Sequence, residues 1–222
     1  MKKQSVFIII TVAVACVFMG LVDAVIQPGY VIKSLIKIVL FAGMSATYAL
    51  LFRDNIFRRV FVPDKRGILI AAATGIAVYA VVLTAYFVFK DVFDFSALTK
   101  SLTSTTGVNR QNFLYVALYI SFVNSLLEEY FFRGFAFLTL KKHAGRTIAY
   151  LFSAAMFALY HIAMMIGWFG WPVVLLSLVG LFAGGVIFNW LDEKFNNIYL
   201  SWLAHMFANF ATNTIGFILF NS

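Results

Sequence analysis

Seven stretches of predominantly apolar residues, each long enough to cross a bilayer, recur along this 222-residue chain and constrain its fold more than any other feature. They cover residues 5–25, 31–52, 68–89, 111–140, 147–166 and 173–190, followed by the stretch after Asn197 that ends near Phe220. A spanning helix takes about 20 such residues. In lipid every backbone polar group must be paired within the protein, which makes the helix the natural element. With 63% apolar and only 12% charged residues, the surplus apolar surface has no soluble core to enter. The expectation is an all-α, polytopic transmembrane bundle of about seven helices, with six to eight allowed.

The first stretch follows Lys2 and Lys3 and carries Ala13-Val14-Ala15-Cys16, which faintly resembles a lipoprotein cleavage site. The apolar run continues past Cys16 through Val17, Phe18, Met19 and Leu21, whereas a cleaved signal has a short apolar region and a polar sequel. A retained first helix is expected. A single cysteine leaves no intramolecular disulfide and no multi-cysteine metal site.

The net charge of +8 would suggest nucleic acid in a soluble chain. Here the basic residues gather in short segments between apolar stretches, with no basic stripe interleaved with exposed aromatics, so no nucleic acid is expected as a partner. Arg53, Arg58, Arg59, Lys65 and Arg66 mark one connection; Lys141, Lys142, His143 and Arg146 mark another. Placing the N-terminus in the cytoplasm puts most of the 17 lysines and arginines inside, as the positive-inside rule asks. Lys33, Lys37, Lys90, Lys100 and Arg110 then fall toward the outside. Asp23 and Lys33, at matched distances from the Gln27-Pro28-Gly29 turn, read as an interfacial pair with a snorkelling lysine. Residues 101–107 read as flexible loop, Gly167–Pro172 as a break among interfacial aromatics, and Asp192–Asn197 as a turn. Gly180 and Gly184 offer a small face for close helix packing, and His143 reads as an ordinary surface histidine.

Ionisable groups within apolar spans are costly and tend to mark a site. Glu128, Glu129 and Arg133 lie on the fourth stretch, and at 100° per residue Ser121, Asn124 and Ser125 join them on one half of the helix. Glu129 and Arg133, at i and i+4, are spaced to pair. Glu128 is left without a local counter-ion, the condition of a carboxylate suited to acid–base work. Glu128 precedes the Lys141–Arg146 turn by about as many residues as His161 follows it, which brings the two face to face near mid-membrane. On the last helix Ser201, His205, Asn209, Thr212 and Asn213 form a second polar stripe, with His205 and Asn209 one turn apart. A buried Glu–Arg pair alone is more often a fastener than a catalyst, and a lone intramembrane histidine more often packs than reacts. The convergence of carboxylate, imidazoles and carboxamide on three helices favours a site.

Glu128-Glu129-Tyr-Phe-Phe-Arg133-Gly134 resembles the EExxxRG motif of the CPBP (CAAX protease and bacteriocin-processing, or Abi) intramembrane endopeptidases. Phe157-Ala-Leu-Tyr-His161 resembles the family's FxxxH motif, and His205-Met-Phe-Ala-Asn209 its HxxxN motif. The ordered set covers about residues 113–220, so residues 111–222 read as the catalytic core and 1–110 as variable N-terminal helices of the same membrane domain. The resemblance implies an endopeptidase acting on a membrane-embedded or membrane-associated peptide, of CAAX type or a bacteriocin or signal-type precursor. By position, Glu128 would activate a water, His161 would help hold it, and His205 with Asn209 would bind the oxyanion. Glu129 and Arg133 would be a positioning pair. The family is often labelled metalloprotease, and Glu128, His161 and His205 could supply a three-ligand zinc site. Asn209 is a poor zinc ligand, which favours a mechanism without a cofactor. The alternative is a non-catalytic membrane partner or regulator of another membrane protein on the same fold. A compact chain of this kind is expected in a prokaryotic plasma membrane.

Overall fold

The computed structural model describes residues 3–56, 60–61, 65–93, 95–165 and 169–221. Lys2, Arg58, Arg59, Gly167, Trp168 and the side chains of Lys65 and Arg66, all used in the sequence reading, lie outside what is described. The described residues fold into helices and contain no strand. α1 (Lys3–Leu21) ends in a wide π turn (Val22–Ile26) and is followed by α2 (Tyr30–Phe52) and α3 (Lys65–Phe89). α4 (Ser96–Ser101) continues through a π turn, Leu102–Thr106. α5 is continuous over residues 113–144, α6 runs over Arg146–Met165 with a break at His161, and α7 (Trp171–Phe195) and α8 (Tyr199–Asn221) complete the chain.

Six of these, α1, α2, α3, α6, α7 and α8, are long and apolar enough to cross a membrane. α5 makes a further crossing, because it lies along two of them. It runs with α2: the Tyr30 and Tyr119 rings are 5.9 Å apart, Phe41 stacks on Phe131 at 4.0 Å, and Tyr48 meets Phe135 at 5.3 Å. It runs against α8: Asn213 donates to the Ala117 carbonyl at 3.2 Å, and Phe217 and Phe220 close on Phe113. α3 runs beside α8 in the same direction, with Tyr79 3.3 Å from Thr214.

α5 is the axis of the bundle. Residues 129–140 are buried throughout, while Leu114, Tyr115, Leu118, Phe122 and Val123 nearer its start are exposed on the lipid-facing surface. Its backbone is not uniformly α: Tyr119–Asn124 and Glu129–Thr139 are π-helical. The Thr139 hydroxyl donates to the Gly134 carbonyl at 2.7 Å and the Ser153 hydroxyl, from α6, to the Phe132 carbonyl at 2.8 Å, serving acceptors that a widened turn loosens. π turns inside helices occur frequently at functional sites. The tight α5–α6 connection turns at Gly145, whose φ of +89° suits glycine.

The ends of the helices sort into two faces. At one, Ser5 donates to the His143 carbonyl at 3.5 Å, and Glu193 holds Arg146 at 2.9 Å, Lys141 at 3.3 Å and the Tyr150 hydroxyl at 2.7 Å. At the other, Asp23 pairs with Lys33 at 2.6 Å beside Thr105 and Thr106, around a cavity of about 120 Å³. α1 packs Ile8, Val12, Ala15 and Met19 into the core.

Several local expectations are corrected. Residues 101–106 are helical rather than loop, and α7 continues to Phe195, so Asp192 is buried within it and accepts from Ser201 at 2.8 Å instead of sitting in a turn. Close approach of α7 to α6 occurs at Gly185, where a Cβ would stand 3.0 Å from Ala154 Cα; Gly180 and Gly184 have nothing within 4 Å of theirs. His143 is half-buried with Nε2 3.2 Å from the Tyr48 hydroxyl. Lys37 does not snorkel outward: it is 4% exposed inside the bundle.

Candidate active site

The chemistry gathers where α2, α5, α6 and α8 meet. Glu128 is 2% exposed and its two carboxylate oxygens have different neighbours. Oε1 accepts from the Lys37 ammonium and, at 3.0 Å, from the Asn124 amide; Lys37 also donates to Asn124 Oδ1 at 2.6 Å. Oε2 faces Nε2 of His161 at 3.9 Å and Nε2 of His205 at 3.7 Å. The expected meeting of Glu128 and His161 across the α5–α6 turn is therefore present, and α8 brings His205 to the same oxygen.

Each imidazole is fixed by its other nitrogen. His161 Nδ1 lies 2.7 Å from the Phe157 carbonyl one turn earlier, an acceptor only, so Nδ1 carries the proton. His205 Nδ1 lies 2.7 Å from Glu129 Oε1 and donates in the same way. In the neutral rings both Nε2 atoms are then lone-pair acceptors turned to Glu128. A hydrogen bond made by one ring nitrogen decides what the other can do.

Glu129 is completely buried and also lies 3.1 Å from Arg133 Nη1, the i, i+4 pair expected from the sequence. That contact is one of charge rather than an aligned hydrogen bond, since none of the Arg133 nitrogens has a hydrogen-bonded acceptor. The guanidinium is seated instead on aromatic faces, its Cζ 4.0 Å from the Phe157 ring centre and 5.1 Å from that of Phe188.

Asn209 is on the α8 stripe but its amide donates to the Ile120 carbonyl at 3.1 Å, toward the start of α5. Asn213 likewise holds Ala117 and Ser121, Ser201 holds Asp192, and Thr212 is exposed and bonds only within its own helix. The half of α5 that the sequence made polar thus faces several partners: Asn124 takes Lys37, Ser125 receives the Trp202 indole N–H at 3.0 Å, and Ser121 receives Asn213.

The expectation that Glu128 lacks a counter-ion is overturned by Lys37. Reading the sequence missed it because Lys37 was placed with Lys33 near the outer end. Lys37 is seven residues into α2, about 10 Å from its start at 1.5 Å per residue, and a lysine that deep in an apolar span was itself a signal of a buried partner.

Glu128, His161 and His205 are the donors a zinc site would use. Lys37 already places a positive charge against the carboxylate that would have to hold a dication, and like charges at contact in a dry site repel strongly. No group of three His, Cys, Asp or Glu side chains among the described residues is arranged to hold a metal.

The fold and site together define a polytopic helical membrane protein with a buried carboxylate set against two oriented imidazoles. Residues 110–211, a little under half of the chain, match the family described as type II CAAX prenyl endopeptidase Rce1-like, and over that segment the chain is similar to these proteases. All of the motif residues Glu128, Glu129, Arg133, His161, His205 and Asn209 fall inside the matched segment. No curated protein and no solved structure matches the chain.

Proposed function

We propose that the protein hydrolyses a peptide bond in a membrane-associated chain by a glutamate-activated water, without a metal. The observation that carries this reading is the position of Glu128 Oε2, 3.9 Å and 3.7 Å from two Nε2 atoms whose rings are oriented from behind. These separations are too long for direct hydrogen bonds and are of the length that one water bridges. Glu128 takes the proton of that water as its oxygen attacks the scissile carbonyl, and His161 Nε2 holds the water on its other side. His205 enters the step doubly protonated, its Nδ1–H held by Glu129, and donates its Nε2–H to the oxyanion together with the second N–H of Asn209. Glu128 then returns the proton to the leaving nitrogen as the C–N bond breaks. The substrate class that the family match favours is a CAAX-type peptide; a bacteriocin or signal-type precursor is the other candidate. In this reading the face carrying Arg53, Lys141 and Arg146 is cytoplasmic, with the N-terminus.

The test uses the purified protein in proteoliposomes with an internally quenched, farnesylated CAAX-type peptide and its unprenylated counterpart. Cleavage by the wild type, its loss in Glu128→Gln, and indifference to chelators are the expected results. A stoichiometric zinc whose removal silences the enzyme and whose return restores it would overturn the metal-free mechanism. Cleavage of neither peptide, with Glu128→Ala complementing a deletion strain as well as wild type, would point to a non-catalytic partner of another membrane protein.

A further inference from the structure

Lys37 is not part of any motif that carries the family resemblance, and it lies outside the matched segment 110–211. It comes from the N-terminal helices, yet its ammonium is in direct contact with the central carboxylate. Two of its N–H bonds go to Glu128 Oε1 and Asn124 Oδ1, and its Nζ stands 4.9 Å from the centre of the Tyr160 ring and 5.6 Å from that of Phe41. The ammonium is therefore fully engaged, by one anion, one amide oxygen and two aromatic faces.

We propose that Lys37 is a positioning residue for hydrolysis, which clamps Oε1 of Glu128 together with Asn124 and so presents Oε2 as an ionised base to the water between the imidazoles. The proposal rests on the hydrolase reading above. A carboxylate in a dry interior keeps its charge only with a partner, because an isolated buried charge is too costly. The groups facing Glu128 are Lys37 from α2, Asn124 from its own helix, His161 from α6 and His205 from α8. Arg133, the other buried cation among the described residues, is paired with Glu129. Of these only Lys37 brings an ammonium into contact with Glu128.

The same ammonium serves the next stage. As water attacks, an O–H bond breaks and its proton goes to Oε2, a C–O bond forms, and the carbonyl π pair becomes an oxyanion. The site's net charge does not change: the negative charge moves from Glu128 to the substrate, and Lys37 remains to balance it. When the tetrahedral intermediate collapses, the proton leaves Oε2 for the amine nitrogen, the C–N bond breaks, and the Lys37–Glu128 pair is restored.

A pair that merely fastens α2 to α5 would lower the amount of folded protein and leave turnover per folded molecule unchanged. The test compares Lys37→Met, Lys37→Arg, Glu128→Gln and the double variant Lys37→Met/Glu128→Gln in proteoliposomes, with kcat and KM for the quenched farnesylated peptide measured per folded molecule, alongside melting. Lys37→Met should lose about 10²–10⁴-fold in kcat, the contribution of a general base, with KM within about threefold of wild type. Lys37→Arg should recover part of that loss, and the double variant should be no slower than Glu128→Gln alone. The double variant should also melt above Lys37→Met, since removing both partners leaves no unpaired buried charge. Should Lys37→Met not fold, Lys37→Gln carries the same comparison. Wild-type kcat in the Lys37 variants with Glu128→Gln inactive would overturn the proposal and leave the hydrolase reading intact. Full activity in Glu128→Gln would instead overturn the hydrolase reading itself.

Discussion

Glu129 Oε1 accepts the Nδ1 proton of His205 at 2.7 Å, across the interface between α5 and α8. The same oxygen lies 3.1 Å from Arg133, so one buried carboxylate both answers the guanidinium and fixes the ring of an imidazole that faces Glu128. The family resemblance casts Glu129 and Arg133 as the pair that positions Glu128. In the structure the contacts on Glu128 come from Lys37 and Asn124, while Glu129 contacts His205.

Glu129→Gln tests this coupling. A neutral amide at this position no longer offers the negative charge that backs the His205 imidazolium, whose Nε2–H is the oxyanion donor. Replacing the carboxylate of a carboxylate–imidazole pair by an amide costs up to about 10⁴-fold in turnover, so kcat should fall by about 10²-fold or more while the protein remains folded. Wild-type kcat in Glu129→Gln would show that Glu129 serves Arg133 alone.

Arg133 should act through the fold. Its side chain is wholly buried, seated between Phe157 and Phe188 and paired with Glu129. Arg133→Ala removes the cation and leaves a cavity between two rings, and breaking one partner of a buried pair costs about 3–5 kcal/mol. Thermal melting in detergent and membrane yield should both drop, with activity following yield. A fully stable and active Arg133→Ala would mean that the pair contributes nothing.

The α6–α7 contact gives a clean packing comparison. A Cβ at Gly185 would meet Ala154 Cα at 3.0 Å and Cβ at 3.1 Å, whereas one at Gly184 meets nothing within 4 Å. Gly185→Ala should destabilise by about 1–3 kcal/mol, the cost of overpacking. Gly184→Ala should be neutral or stabilising, as alanine favours a helix by about 1 kcal/mol over glycine. Equal melting temperatures for the two variants would contradict the close approach at Gly185.

Orientation is testable on a Cys16→Ala background with single cysteines introduced at Ala144 and Asn221. If the basic clusters at Arg53 and at Lys141–Arg146 follow the positive-inside rule, Ala144 is inside and, with seven crossings, Asn221 is outside. An impermeant thiol reagent should label position 221 in intact cells and position 144 only after lysis. The reverse pattern would invert the protein, and labelling of both from outside would change the number of crossings.

Apolar length made the bundle legible from the sequence, because a run of some 20 apolar residues has few alternatives in lipid. Depth counting also brought Glu128 and His161 together correctly, since two antiparallel helices joined by a tight turn share depth at equal distances from it. What depth counting could not give was rotation. Whether Lys37 faces lipid, water or Glu128 depends on how α2 is turned against α5, and that is set by aromatic contacts such as Phe41 on Phe131 that leave no periodic trace. The π turns of α5 compound this, since each shifts the faces of the residues after it away from the 100° progression. For the same reason the close-packing glycine is Gly185, one position from the one that spacing suggested.

Asn209 separates an oxyanion donor from an interhelical tie. Its amide donates to the Ile120 carbonyl at 3.1 Å, and Ile120 lies in the first π segment of α5, two turns before Glu128. An amide nitrogen carries two protons, so that bond aims the group while leaving one N–H for substrate. If the remaining N–H meets the oxyanion, Asn209→Ala should lower kcat by about 10²–10³-fold with KM little changed, the usual loss of one such donor. If the amide only ties α8 to α5, the same variant should lose about 1 kcal/mol of stability, the worth of one hydrogen bond, and keep its turnover. Asn209→Asp sharpens the distinction, because a carboxylate can still pack at the position but places a negative charge where the oxyanion would form. It should therefore be at least as slow as Asn209→Ala, and a faster Asn209→Asp would remove Asn209 from the reacting centre.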